Sequence, residues 1–281
     1  MPELPEVETV VRDLRPQLSG RRIVAVELGR DPAALARVIR YPAPRAFGRR
    51  LRGQTIAAVE RRGKYIVMPL GQNGRRFIVH LGMTGHLRAW EPEEAPVKHT
   101  HFRARLDSGL ELRYDDSRQF GRLLLGTHEE LVAARAFPAR LGPEPIHGDL
   151  TEAEFERLVR ARRRPVKSAL LDQSFLAGVG NIYADEACFR AGIRPSRWTH
   201  RLTVRERRAL YASIQEVLEN SIAARGSSII NYVDAFGLRG GNQEKLLVYG
   251  RGGEPCLRCG TPLQATRLAG RGTVYCRKCQ R

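Results

Sequence analysis

Apolar residues near the start of the chain recur at Val7, Val10, Val11, Leu14 and Leu18, the spacing of one helix face. Pro5 suits the first helical turn, Glu6 and Glu8 complement the positive helix end, and Ser19-Gly20 ends the helix. From Arg22 to about Leu125 the period shortens. RRIVAVELG, TIAAVERRGKYIVMPL, RRFIVHLGMTG, HFRARLDSGLELRYDD and FGRLLLG are rich in β-branched residues and are punctuated by turns such as Gln72-Asn73-Gly74 and Asp107-Ser108-Gly109. This predicts an antiparallel β-sandwich, interrupted by a basic, proline-rich insertion over about 31–50. Helical pattern returns further on. Thr151 with Glu154 and Thr203 with Glu206 form capping-box pairs, Pro165 opens a short helix, and GVGNIYADEACFRAG reads as another. The expected fold class is α+β: an N-terminal helix and sandwich over 1–136, a linker at 137–150, a helical domain over 151–249, and a terminal module over 250–281.

The terminal module is set by cysteines. Cys256 and Cys259, then Cys276 and Cys279, make two CxxC pairs sixteen residues apart, the spacing of a four-thiolate zinc site with two knuckles joined by a hairpin. Two disulfides are the alternative, but a cytosolic chain is kept reduced. A module this small has little core, so one structural Zn2+ is expected to drive its folding. Cys188 stands apart in a helical stretch and reads as a small buried apolar residue.

Charge then narrows the class. The 281 residues carry 48 Lys+Arg against 30 Asp+Glu, a formal net charge of +18, which favours a polyanionic partner such as nucleic acid over an inert basic surface. No apolar run is long enough to span a membrane, and no basic flank precedes an apolar stretch at the start. A cytoplasmic monomer without a membrane partner is expected.

Three constellations could carry chemistry. In GVGNIY, two glycines let a backbone approach closely and Asn181 opens a helix whose N-terminal N–H groups suit a phosphate. With Lys167 in the preceding helix, this reads as a helix–two-turn–helix gripping DNA, although GxG is also a common tight turn. In HLGMTGHLR and DDSRQFG, Met83 and Phe120 fall in loops at strand ends, with Arg118 two residues from Phe120. They read as core, or as a wedge that fills the gap left by an extruded base while an arginine pairs with the orphaned partner. The third is MPELPE itself. Methionine is normally trimmed before a residue as small as proline, which would leave Pro2 a free secondary amine. Such an amine titrates near about 8 and can attack a sugar C1′, with Glu3 beside it to move a proton. The plain alternative is that Pro2 stiffens a tail.

PELPEVETV, RGKY, HLGMTG, the R-x-F-G segment, LLDQSFLAGVGNIYADE and the terminal VYGR with its four cysteines follow one another over the whole length. In this order they resemble the bacterial formamidopyrimidine-DNA glycosylase family. The resemblance implies a bifunctional DNA glycosylase and abasic-site lyase of base excision repair. It would act on double-stranded DNA containing a damaged base, removing oxidised purines (8-oxoguanine, formamidopyrimidines), and cut the strand by β,δ-elimination. It makes Pro2 the Schiff-base nucleophile, Glu3 the acid that helps open the sugar, Lys64 the proton donor for β-elimination, and Arg271 the donor for δ-elimination. His99, Arg118 and Arg163 would contact DNA, Asn181 would grip the backbone, Lys167 would lie near the lesion, and Met83, Arg118 and Phe120 would fill the void.

Departures from the family pattern are Asn242, where an aromatic residue usually precedes the glutamine in a loop expected to cap the flipped base, Gln119 in place of a second basic residue, and His86. Two other readings stand beside the first: an endonuclease VIII-like enzyme for oxidised pyrimidines, disfavoured by Leu4 where that sister usually has glycine, and a zinc-containing DNA-binding protein without catalysis, disfavoured by intact Pro2, Glu3, Lys64 and Arg271.

Overall fold

The structure is a computed structural model that describes residues 1–71, 74–146 and 148–281, so Gln72 and Asn73 of one expected turn, and His147, lie outside the described residues. Its contacts divide the chain into two units. One comprises Met1–Ala139 with Arg225–Gly240, the other Arg140–Ala224 with Gly241–Arg281.

The first unit begins with α1 (Leu4–Leu18), whose apolar stripe Val7, Val10, Val11, Leu14 and Leu18 is buried. It continues through β1 (Ile23–Leu28), α2 (Pro32–Val38), β2 (Ile39–Tyr41), α3 (Pro44–Leu51), β3 (Glu60–Arg62), β4 (Tyr65–Leu70), β5 (Arg75–His80), β6 (Gly85–Trp90), β7 (Thr100–Leu106), β8 (Glu111–Asp116), β9 (Arg122–Gly126) and α4 (His128–Ala133). Two sheets form, in the orders β1-β7-β8-β6 and β2-β9-β5-β4-β3. Phe102, Ala104 and Leu112 of the first share one core with Ile66, Met68, Phe77 and Val79 of the second. On the other face of the five-stranded sheet, Val67, Ile78 and Leu124 pack with Leu131 of α4. The alternation of period two thus serves two apolar layers.

One expectation is corrected here: the sandwich is not purely antiparallel, because β2 runs parallel to β9. The basic insertion at 31–50 also feeds the core. Its prolines open helices at the first turn, and α3 sends Phe47 and the following Leu51, both fully buried, into the core. Phe47 meets Phe77 and Phe102 edge-on at centroid distances of 5.6 and 5.8 Å. The arginines dominated the reading of this stretch, but α3 turns Arg45 and Arg49 outward on one face and Phe47 and Leu51 inward on the other.

The second unit contains α5 (Glu152–Arg160), α6 (Val166–Leu170), α7 (Asn181–Arg190), α8 (Val204–Ala223) and the hairpin β10 (Gln264–Leu268) with β11 (Arg271–Tyr275). Thr151 and Thr203 cap α5 and α8 through boxes with Glu154 and Glu206. The expected linker is built in rather than loose: Ile146 and Leu150 are buried, and the Gly142 N–H donates to the Gln173 carbonyl at 2.8 Å. The hairpin packs on α7, with Leu263, Val248 and Cys276 against Phe189. The helical domain expected over 151–249 is interrupted, since residues 225–240 belong to the first unit, where Tyr232 and Ala235 join the sandwich core.

Phe47→Ala should cost about 3–5 kcal/mol of stability by leaving a cavity between the two sheets. Denaturant unfolding of the variant against the parent measures it, and a change within experimental error would contradict this account of the insertion.

Candidate active site and nucleic-acid interface

In the first unit, Glu3 occupies the N-cap of α1 and donates its N–H to the Glu6 carboxylate at 2.8 Å. Pro2, Glu3 and Lys64 are all buried. Lys64 sits in the β3–β4 turn after Gly63, whose φ of 58° is the left-handed conformation glycine allows. That turn is tied to α1: Arg61 pairs with Glu8 at 2.8 Å and donates to the Gly63 carbonyl at 3.2 Å, while Arg15 donates to the Val59 carbonyl at 3.0 Å. Glu6 and Glu8, expected only to complement the helix end, therefore bind specific partners.

His80 links these parts. Its Nδ1 accepts the Gly82 N–H at 3.2 Å, so the ring is neutral. Burial, with the positive charges of Arg122, Lys64 and the Met1 amino group, pushes His80 down to about 4. The start of the chain and Lys64 thus share one neighbourhood. Sequence reasoning missed His80, which looked like an ordinary strand residue.

The wedge loops are also brought together. Met83 lies half-buried between β5 and β6; Arg118 and Phe120 project between β8 and β9, with Phe120 52% exposed. The Arg118 guanidinium lies over the Phe120 ring at 4.8 Å. A Cβ on Gly82 would meet the backbone of Phe120 and Gly121 at 2.6 and 2.5 Å, so only glycine lets the two loops touch. Asp116, fully buried, organises both: its carboxylate accepts from Thr84 Oγ1 at 2.5 Å, from the Arg118 N–H at 3.2 Å and from the Gly121 N–H at 2.8 Å. His99 is half-buried at the start of β7, and its carbonyl accepts the Asp116 N–H at 3.0 Å. Asp116 escaped the sequence reading because a carboxylate in a basic, DNA-directed loop looks misplaced until it is seen as an acceptor for loop amides.

Residues 225–240 form a third loop of this unit. Its base is fixed by Ser227 N–H on Glu6 at 2.7 Å and by Arg225 on Asp13 at 2.7 Å, and its turn by the Phe236 and Leu238 amides on Asp234, both at 2.9 Å. His86 Nε2 lies 2.9 Å from the Asn231 carbonyl. Ile230, Phe236 and Leu238 are exposed. Asn242, expected in the capping loop, is instead a buried residue of the second unit, in a short turn lining a cleft with Tyr183, Glu186 and Arg190.

In the second unit, Gln173 builds the glycine turn before α7. Its side chain accepts the Gly178 N–H at 2.9 Å and donates to the Val179 carbonyl at 2.9 Å, with Gly178 at a φ of 97°. Gly180 is the N-cap of α7 and brings no side chain to cap it, an arrangement that suits an incoming anion. Arg163 is exposed, whereas Arg162 lies over Phe175 and Arg164 pairs with Asp172 at 2.9 Å.

Lys167 departs from expectation. It is fully buried, and its ammonium binds Asp185 at 2.8 Å, the Gly272 carbonyl at 2.6 Å and Thr273 Oγ1 at 2.9 Å. Two hydrogen bonds and one ion pair thus engage the ammonium inside the unit. Burial pushes Asp185 up to about 6, although Lys167 pulls the other way. The Asn181 side-chain amide also turns to the Gly272 carbonyl, at 3.1 Å. Arg271, the first residue of β11, is exposed.

The four cysteines fit zinc. Their sulfurs lie within 4.8 Å of one another, with Cys259 and Cys276 at 3.5 Å and Cys256 and Cys279 at 4.0 Å. Tetrahedral Zn–S bonds of about 2.3 Å require sulfurs about 3.8 Å apart. Four thiolates from two knuckles hold one structural zinc.

Family models match three consecutive regions: the formamidopyrimidine-DNA glycosylase N-terminal domain over 1–123, its H2TH domain over 141–232, and the zinc finger found in FPG and IleRS over 253–281. A formamidopyrimidine-DNA glycosylase of Desulfitobacterium hafniense is 47% identical over 280 residues, covering 100% of both chains. The MutM (Fpg) protein of Thermus thermophilus superposes with a TM-score of 0.84 at 40% identity, over 99% of this chain and 98% of that one. A Lactococcus lactis Fpg mutant in complex with Fapy-dG-containing DNA gives 0.87 at 36% identity, over 100% of each. A sandwich with an N-terminal helix, an H2TH domain and a zinc finger in one chain is a glycosylase architecture. The chain belongs to the formamidopyrimidine-DNA glycosylase family. No helix among the described residues is long and apolar enough to cross a membrane.

Asp116→Ala should lower stability by at least about 2 kcal/mol, because buried N–H groups of both wedge loops lose their acceptor. Thermal unfolding measures it, and an unchanged midpoint would show that the loops stand without Asp116.

Proposed function

We propose that the chain is a bifunctional DNA glycosylase and abasic-site lyase that removes oxidised purines from double-stranded DNA. The observation that carries the reading is the neighbourhood of the amino terminus: Pro2 and Glu3 at the head of α1, with Lys64 in a turn tied to that helix and a neutral His80 close to both charges. Removal of Met1 frees the secondary amine that a nucleophilic Pro2 needs.

After removal of Met1, the Pro2 nitrogen attacks C1′ and the bond to the damaged base breaks; the base leaves with the electron pair and takes up the proton that the amine releases. Glu3 delivers a proton to the ring oxygen, the sugar opens, and nitrogen and C1′ form an iminium. Loss of a C2′ proton expels the 3′ oxygen, with Lys64 supplying the proton that the reading assigns to this step. Loss of a C4′ proton then expels the 5′ oxygen in a second elimination, with Arg271 at the departing phosphate. Zinc supplies no Lewis acidity within four thiolates; it folds the hairpin that carries Arg271.

DNA is held by phosphate contacts from His99, Arg163 and the α7 N-terminus at Asn181. Met83 and Phe120 fill the space of the extruded nucleotide while Arg118 meets the orphaned base. The exposed apolar tip of 225–240 covers the flipped base. The enzyme works in the cytoplasm, where its thiolates stay reduced.

Borohydride trapping on duplexes carrying 8-oxoguanine or an oxidised pyrimidine tests the assignment: a covalent adduct forms preferentially with 8-oxoguanine. Preference for the pyrimidine would overturn the substrate class, and no adduct with either would overturn the lyase. Pro2→Gly, or a form that retains Met1, should give no strand cleavage while still binding the duplex; full cleavage by either removes Pro2 as nucleophile. Affinity for DNA should fall on the order of 10³-fold between about 50 and about 200 mM salt if some six phosphates are neutralised. A flat response in a filter-binding titration would contradict the phosphate contacts.

A further inference from the structure

Arg271 is exposed on the zinc hairpin, and its partner strand β10 is exposed along nearly its whole length. The hairpin is held through β11, and the holding groups are not zinc ligands. Lys167 donates to the Gly272 carbonyl at 2.6 Å and to Thr273 Oγ1 at 2.9 Å; that hydroxyl donates onward to the Arg271 carbonyl at 3.2 Å. Asp185 binds the Lys167 ammonium at 2.8 Å and accepts the Val274 N–H at 3.1 Å. Four successive residues, Arg271 to Val274, are therefore fixed by one ion pair between α6 and α7. Both members are sealed from solvent, with side chains 0% and 1% exposed.

A buried ion pair is weak evidence for stability, because apolar residues of similar volume would do as well. What apolar residues would not do is fix the backbone on which a functional side chain stands. We propose that Lys167 and Asp185 are positioning residues for the second elimination: they pin β11 so that Arg271 is presented to the departing phosphate in one orientation. This rests on the role given to Arg271 above. It also gives Lys167 a task that its burial permits, in place of contact with DNA. Neither side chain reaches solvent, so binding and iminium formation fall to other residues.

The test uses the full zinc-loaded chain and a duplex with a preformed abasic site, which bypasses base removal. Gel mobility separates the 3′ unsaturated aldehyde left by the first elimination from the 3′ phosphate left by the second. In Asp185→Asn the second product should form on the order of tenfold or more slowly, since small misplacements of a catalytic group have such effects. Borohydride-trapped adduct and zinc content should match the parent, and Asp185→Glu should recover part of the second step. Should Asp185→Asn not fold, the pair Lys167→Met with Asp185→Leu, which removes both charges together, is assayed in its place and should also stall after the first elimination. A parental product ratio in the folded variant would overturn the proposal. Arg271→Ala is the control on the underlying reading. If it too cuts through both steps, the role of Arg271 fails; if it stalls while Asp185→Asn and the apolar pair do not, only the positioning role fails.

Discussion

Carboxylates turned inward hold the functional loops of this protein. Acids are the scarce charge in the chain, 30 against 48 basic residues, yet Glu6, Asp116, Asp185, Glu186 and Asp234 are all buried. A carboxylate out of water needs donors, and loops have backbone N–H groups that need acceptors. The two needs meet repeatedly. Glu6 takes the Ser227 amide, Asp116 the amides of Arg118 and Gly121, Asp234 those of Phe236 and Leu238, and Glu186 those of Leu247, Val248 and Tyr249. With so many acids occupied inside, basic groups dominate the surface that a polyanion meets.

Much of the architecture was legible because its signals are local. The α1 stripe, the capping boxes at Thr151 and Thr203, and the CxxC pairs each announce themselves within a few residues, and each is found where the pattern put it. The core role of Phe47 and Leu51, in and just after the basic insertion at 31–50, was not legible, because it depends on a core assembled from distant strands. The parallel pairing of β2 with β9 joins residues more than eighty positions apart, a separation that no periodicity reveals.

The candidate site divides in the same way. Motifs named the side chains that could touch DNA, but not the groups that hold them. His80, Asp116 and Asp185 carry no signature in sequence, because their roles are defined by what surrounds them: a ring of positive charge, a pair of loops and a lysine. Lys167 shows the converse. A lysine in a basic helical domain suggests a phosphate partner, yet this one is sealed against a buried aspartate and donates to a carbonyl.

The first unit is built from two stretches separated by more than eighty residues of the second. On a ribosome, the sandwich emerges long before Arg225–Gly240 is made. Until that segment arrives, the nascent sandwich lacks Tyr232 and Ala235 from its core, and Asp13 and Glu6 lack the Arg225 and Ser227 groups that meet them. The terminus proposed to carry the chemistry is therefore synthesised first but completed late, and its surroundings are whole only once most of the polypeptide has been translated.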